Sequence, residues 1–157
     1  GDLPAFQEKK LAVQLSNHNF KGFKCGHHGS KTSTPTEFVK AIKPEIGFIS
    51  AGWNGSYKLP RKETFDHIVE ARNVYPQVGK RIYMTGGYML SGILKKYSPH
   101  AVLAGDAWPL RVNDEKFNKT DRTGTVSMYF RPTPNSVASH SCAVSYQQHT
   151  LDQTDTF

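Results

Sequence analysis

The chain has 157 residues, of which 37% are hydrophobic and 21% charged, with a net charge of +7. That length is enough for one domain with a real core, and the composition is that of an ordinary soluble protein with a modest apolar supply. No apolar run approaches the ~20 residues that a helical membrane span needs.

The charge is uneven. Residues 1–62 hold ten Lys/Arg against four Asp/Glu. Such a field favours an anionic partner, a phosphodiester or DNA among them, although a solvated basic surface reads the same way. The two cysteines, Cys25 and Cys142, form no paired motif and imply neither a disulfide nor a compartment. The first residue is Gly1 with no signal-like segment, and a chain that opens in mid-pattern is expected to be a piece of a longer protein.

In chain order, Pro4 can begin a helix running to about Asn17, with Phe6, Lys10 and Val13 on one stripe and Leu11 and Leu15 beside it. Phe20–Cys25 reads as a strand. It ends at Gly26-His27-His28-Gly29, followed by the hydroxyl-rich Ser30-Lys31-Thr32-Ser33-Thr34. Thr34 suits an N-cap, Pro35 a first helical position and Glu37 the far end of a capping box, so a helix is expected from Pro35 to about Ile42. Lys43-Pro44 stops it. Ile46–Ala51 is an apolar strand suited to burial on both faces. A Gly- and aromatic-rich loop, Gly52–Pro60, leads to a helix over about Arg61–Asn73, and Lys80–Thr85 is a further strand.

From Gly86 to about Thr120 no periodicity lasts, and an insertion or small subdomain is expected. An alternating strand follows near residues 124–130, Cys142–Gln147 is a candidate final strand, and the chain beyond about residue 148 is expected to fray. Strand and helix alternate, which predicts an α/β fold. The strands near 20–25, 46–51, 80–85 and 124–130 are expected in one sheet, with the helices after Pro35 and Pro60 on the same face.

Histidines on a tight strand-to-helix loop sit where α/β folds hold chemistry. Ser30 and Thr32 can hold a phosphate oxygen, with Lys24 and Lys31 balancing its charge. Trp53 and Tyr57 can stack on bases or pack against the sheet. Asp106, after an apolar run and Gly105, reads as a turn residue.

An ordered set of residues carries a family likeness. Lys24, His27-His28-Gly29-Ser30, Lys31-Thr32-Ser33, Ile49–Gly52 with Asn54 and Tyr57, and Asp121-Arg122 with Gly124-Thr125 follow one another in sequence. Together they resemble the C-terminal half of a metallo-β-lactamase-fold hydrolase, an αββα sandwich, in the branch that includes ComEC-type DNA-uptake proteins. The likeness covers roughly residues 1–85 and 121–130.

The resemblance implies that Gly1-Asp2 is a strand-end Gly-Asp with Asp2 as a metal-bridging, catalytic carboxylate. It implies that His27 or His28 is a further ligand. His27, directly after the strand and its glycine, is favoured, with His28 orienting the site or touching substrate. Lys24, Ser30, Lys31, Thr32, Asn54 and Tyr57 would bind substrate. The implied activity is hydrolysis of a phosphodiester, in nucleic acid, at a site of two Zn²⁺ or Mn²⁺ ions. A non-catalytic DNA-binding or DNA-uptake module on the same fold is the alternative.

The sequence departs from the family in two places. No His-x-Asp-x-Asp-His motif occurs, which is expected if the N-terminal half of the fold lies elsewhere. Leu59 stands where the family commonly has a histidine before the proline. A missing half is expected to leave an apolar sheet face bare, with Ile46, Phe48 and Val126 on it.

Overall fold

Four short strands, β1 (Gly22–Lys24), β2 (Ile46–Ile49), β3 (Arg81–Met84) and β4 (Ala101–Leu103), pair side by side and all in parallel, in chain order. The computed structural model describes residues 1–18, 20–52, 56–88, 90–103, 126–132, 140–148 and 151–157. Helix α1 (Ala5–Leu15) precedes β1, and α2 (Thr36–Ile42), α3 (Lys62–Val74) and α4 (Leu90–Tyr97) connect the strands in turn. Parallel neighbours in chain order, joined by crossovers of one hand, put every connecting helix on one face. The packing agrees: Val39 of α2, Phe65, Ile68 and Ala71 of α3, and Ile93 and Tyr97 of α4 share one core with Ile49, Ile82 and Met84.

Strand side chains alternate between faces, so the neighbouring positions Ile46, Phe48, Tyr83 and Val102 point away from the helices. They cluster with Val144 and Phe157. These last two residues come from a second sheet and its C-terminal end: β5 (Val126–Pro132), β6 (His140–Gln148) and β7 (Leu151–Thr156), paired antiparallel in that order. Tyr83 donates to Asp155 Oδ2 at 2.5 Å and ties the two sheets together. The result is three layers, helices on a parallel sheet on an antiparallel sheet.

The mixed α/β class, both expected helices on one face and the doubly buried Ile46–Ile49 strand are as the sequence predicts. Five expectations are corrected. The strand near 124–130 does not join the first sheet; β4 takes that edge, because the β3–α4–β4 crossover delivers the nearest chain neighbour there. Part of the segment read as unpatterned holds α4 and β4. Leu90, Ile93, Leu94 and Tyr97 have helical spacing, but the flanking Gly86-Gly87 and Ser98-Pro99 break the pattern up. Residues 104–120, with Asp106, lie outside the described residues. The tail pairs as β7 instead of fraying.

The bare sheet face is covered, with Ile46 and Tyr83 wholly buried beneath the second sheet; the Val126 side chain lies outside the described residues. Last, α1 turns its Phe6–Val13 stripe outward, at 60% and 77% exposure, and buries Glu8 and Ala12 instead. No helix among the described residues is long and apolar enough to cross a membrane.

Asp66 joins α3 to α4. Burial opposes its ionisation, but hydrogen bonds from Lys62 (2.5 Å), Tyr97 (2.7 Å) and Lys96 (2.9 Å) outweigh that and bring the carboxyl down to about 2. A carboxyl depressed in the folded state stabilises it above the ordinary value of 3.8, and the contribution is lost as pH falls towards 2. Urea unfolding should therefore show Asp66→Asn less stable than wild type at pH 6, with the gap closing between pH 4 and pH 2. A gap independent of pH would exclude the ionised carboxylate as its source.

Candidate functional site

The histidine loop is a tight turn, Gly26–Gly29, between β1 and α2, kinked at the histidines. Both histidines are left-handed, His27 at φ 43°, ψ 48° and His28 at φ 53°, ψ 29°. Two consecutive L-residues in that region cost about 1–2 kcal/mol each and persist only where the surroundings over-determine them.

The surroundings here are hydrogen bonds from three elements. The Gly26 amide donates to Thr34 Oγ1 at 2.9 Å, and Ser33 Oγ donates back to the Gly26 carbonyl at 2.8 Å. The His27 amide donates to the Gly1 carbonyl at 3.1 Å, and the Ala5 amide to the Thr32 carbonyl at 2.9 Å. At the far end, the Gly29 carbonyl accepts both the Arg61 amide and Thr64 Oγ1, each at 2.8 Å. Gly29 has φ +78°, and a Cβ there would lie 2.8 Å from Pro60 Cβ and 3.2 Å from Ile49 Cγ2. Only glycine fits the turn against the start of α3.

Glu8 is the buried brace. It is 5% exposed, and its Oε2 accepts the Thr34 amide at 2.5 Å. Burial raises its pKa, with the Thr34 hydrogen bond opposing. This corrects the capping box: Pro35, not Thr34, is the residue flanking α2, no side chain caps the helix, and Glu8 of α1 takes the amide assigned to Glu37. Thr34 itself is left-handed at φ 55°, with its hydroxyl turned back to Gly26. Behind the loop, burial pushes the Cys25 thiol up to about 12, so it stays protonated and inert.

The turn opens onto a cleft of ≈ 410 Å³ lined by Asp2, His27, His28, Ala51, Gly52, Tyr57 and Leu59. Four of the residues singled out from the sequence thus share one cavity. His28 Nδ1 lies 2.6 Å from the Ser50 carbonyl. A carbonyl only accepts, so Nδ1 carries the proton and the Nε2 lone pair is left for a ligand or substrate.

The remaining candidates are placed differently. Lys24 Nζ bonds the Cys25 carbonyl at 3.2 Å, Ser30 and Thr32 hydroxyls bond each other at 3.0 Å, and Lys31 is exposed; none of them lines this cleft. Trp53 and Asn54 lie outside the described residues. Glu8, Ser50 and Thr64 act through backbone groups, and no local sequence signal marks them. Oxygen and imidazole donors suit a divalent metal, but among the described residues no three His, Cys, Asp or Glu side chains group closely enough to hold an ion.

One stretch has a curated relative. ComE operon protein 3 of Bacillus subtilis (strain 168) is 38% identical to this chain over 63 residues, which is 40% of this chain and 8% of that protein. The chain thus aligns with only a small part of that protein's length. No family model matches the chain, and no solved structure matches it.

The brace makes two substitutions informative. Gly29→Ala should lower stability by about 1–3 kcal/mol in urea unfolding, from the positive φ and the Pro60 overlap. Glu8→Ala should cost about 1–3 kcal/mol by orphaning the buried Thr34 amide, and Glu8→Gln, which keeps an acceptor oxygen, should recover most of it. A neutral Glu8→Ala would show that the amide finds another partner.

Proposed function

We propose that this chain carries part of a metal-dependent phosphodiesterase site acting on nucleic acid, within an αββα metallo-β-lactamase sandwich of the ComEC-type branch. The observation that carries the reading is the shared cleft of Asp2, His27 and His28. The helix–sheet–sheet layering and the stretch shared with ComE operon protein 3 support it.

In this reading Asp2 and the imidazoles contribute to holding Zn²⁺ or Mn²⁺, and further ligands come from outside the described residues. A bound ion supplies Lewis acidity and lowers the pKa of water toward ~7. His28, with its Nδ1 proton committed to Ser50, is the better-oriented imidazole; a ligand histidine's second nitrogen is typically held this way. His27 is the second ligand or a proton carrier to the leaving oxygen. Tyr57 lines the same cleft, where it can stack on a base. The basic first part of the chain draws the polyanion in.

A second reading has its own observation. The donors grouped among the described residues are too few for two ions, and Leu59 lines the cleft where the family commonly has a histidine. A non-catalytic DNA-binding or DNA-uptake module on the same fold would look the same.

Metal content by elemental analysis, with bis-(p-nitrophenyl) phosphate turnover, separates the two. The 157-residue chain alone should bind Zn²⁺ weakly and give no turnover. The longer polypeptide should hold two ions and turn over, and His27→Ala or His28→Ala should reduce turnover at least ~100-fold. A longer polypeptide that binds DNA without metal or turnover would establish the second reading instead.

A further inference from the structure

A second cleft, of ≈ 340 Å³, lies on the other side of the loop that walls the histidine cleft. Residues alternate along that loop. Tyr57 and Leu59 line the histidine cleft, and Lys58 and Pro60 line the second one. The two cavities are thus separated by one thickness of chain, with Gly29 of the histidine turn lying directly against Pro60. Lys58 is left-handed at φ 54°, and the loop is pinned where the Tyr88 amide donates to the Leu59 carbonyl at 2.7 Å.

Four cations, Lys58, Arg61, Lys62 and Lys96, line this second cleft against one carboxylate, Glu63. Two of the cations are committed, because Lys62 and Lys96 both bond Asp66. Arg61 makes no ion pair among the described residues, and Lys58 Nζ lies 5.7 Å over the Tyr88 ring. Tyr97 also lines the cleft, stacked on Phe65 and buried. The cleft therefore offers two available positive charges, a half-buried tyrosine ring and the apolar Ile93 and Pro60.

That chemistry matches a nucleotide: a phosphate for Lys58 and Arg61, and the face of an unpaired base for Tyr88. A paired base hides its face, and a cavity of this size has room for a small molecule and not for a duplex. We propose that this cleft binds the nucleotide flanking the ester held at the histidines, so that a single strand runs from one cavity to the next across the Tyr57–Pro60 loop. The assignment of the flank rests on the phosphodiester reading above; the nucleotide site itself does not.

The test is fluorescence anisotropy of 5′-labelled (dT)₁₂ with the 157-residue chain over a range of salt concentrations. Lys58→Ala and Arg61→Ala should each weaken binding about 3- to 10-fold and lower the log–log salt slope by about 0.7, the value for one phosphate contact on a single strand. Tyr88→Ala should weaken it about 5- to 100-fold, and Tyr88→Phe should bind like wild type. Lys95→Ala, outside both clefts, is the control and should have no effect. Unlabelled duplex of equal length or poly-glutamate should compete at least 10-fold less well than (dT)₁₂.

Wild-type affinity in the Lys58, Arg61 and Tyr88 variants would overturn the proposal, as would absence of (dT)₁₂ binding or equal competition by duplex or poly-glutamate. Bis-(p-nitrophenyl) phosphate, with a single phosphate and no flanking nucleotide, reports on the histidine cleft alone. Loss of (dT)₁₂ binding in these variants, together with no turnover by the longer polypeptide, would support the nucleotide site while the phosphodiesterase reading fails.

Discussion

Two consecutive histidines held in left-handed backbone geometry are the constraint on which the rest of this structure turns. Such a turn does not survive on its own conformational preference, which opposes it at both residues. It survives because the loop around it has its polar groups bonded from outside: to Gly1 and Glu8 before it, to Ser33 and Thr34 after it, and to Arg61 and Thr64 at the start of α3. Strain of this kind, stored at a cleft and supported by buried partners, is a pattern of working sites. The two imidazoles are consequently placed by the whole domain and not by their neighbours in sequence.

The layering explains how a small parallel sheet can carry that load. With all helices on one face, the other face of the sheet would be open, and Ile46, Phe48 and Tyr83 would meet water. The antiparallel β5–β7 sheet covers it through Val144 and Phe157, and the hydrogen bond to Asp155 satisfies the Tyr83 hydroxyl that burial on that face would strand. The loops at the ends of β1 and β2 then stand on a core closed from both sides. That rigidity lets the Ser50 carbonyl, at the end of β2, fix the ring of His28, at the end of β1.

The cleft beside the histidines combines two kinds of group with different costs. Asp2 and His28 are exposed, so their polar groups remain hydrated until a ligand arrives. Glu8 has given up its hydration and depends on one amide hydrogen bond. A buried carboxyl beside a functional loop can suggest catalysis, yet Glu8 faces Gly26 and Thr34 and does not line the cleft. Its role is positioning.

Much of this was legible in the chain alone. The strand–histidine turn–helix order, the apolar β2 and the helix after Pro60 follow from local pattern, because a run such as Ile46-Gly47-Phe48-Ile49 has no good alternative to burial in a sheet. The histidine pair and Tyr57 draw notice by residue type and Asp2 only through the family resemblance; that the four line one cleft is what the fold adds. Tertiary structure decided what depends on partners far away in sequence. Glu8 took the Thr34 amide from a local capping box because a helix packed against the loop offers a better-shielded acceptor. Phe6 and Val13 faced outward because α1 is oriented by that same carboxylate and by its contact with α2, not by the width of its apolar stripe. The fourth strand was β4 rather than β5 because a crossover helix delivers its own strand to the nearest open edge, a matter of chain geometry that periodicity does not encode. Local physics sets which elements form; the competition among distant partners for each buried donor, acceptor and edge sets where they go.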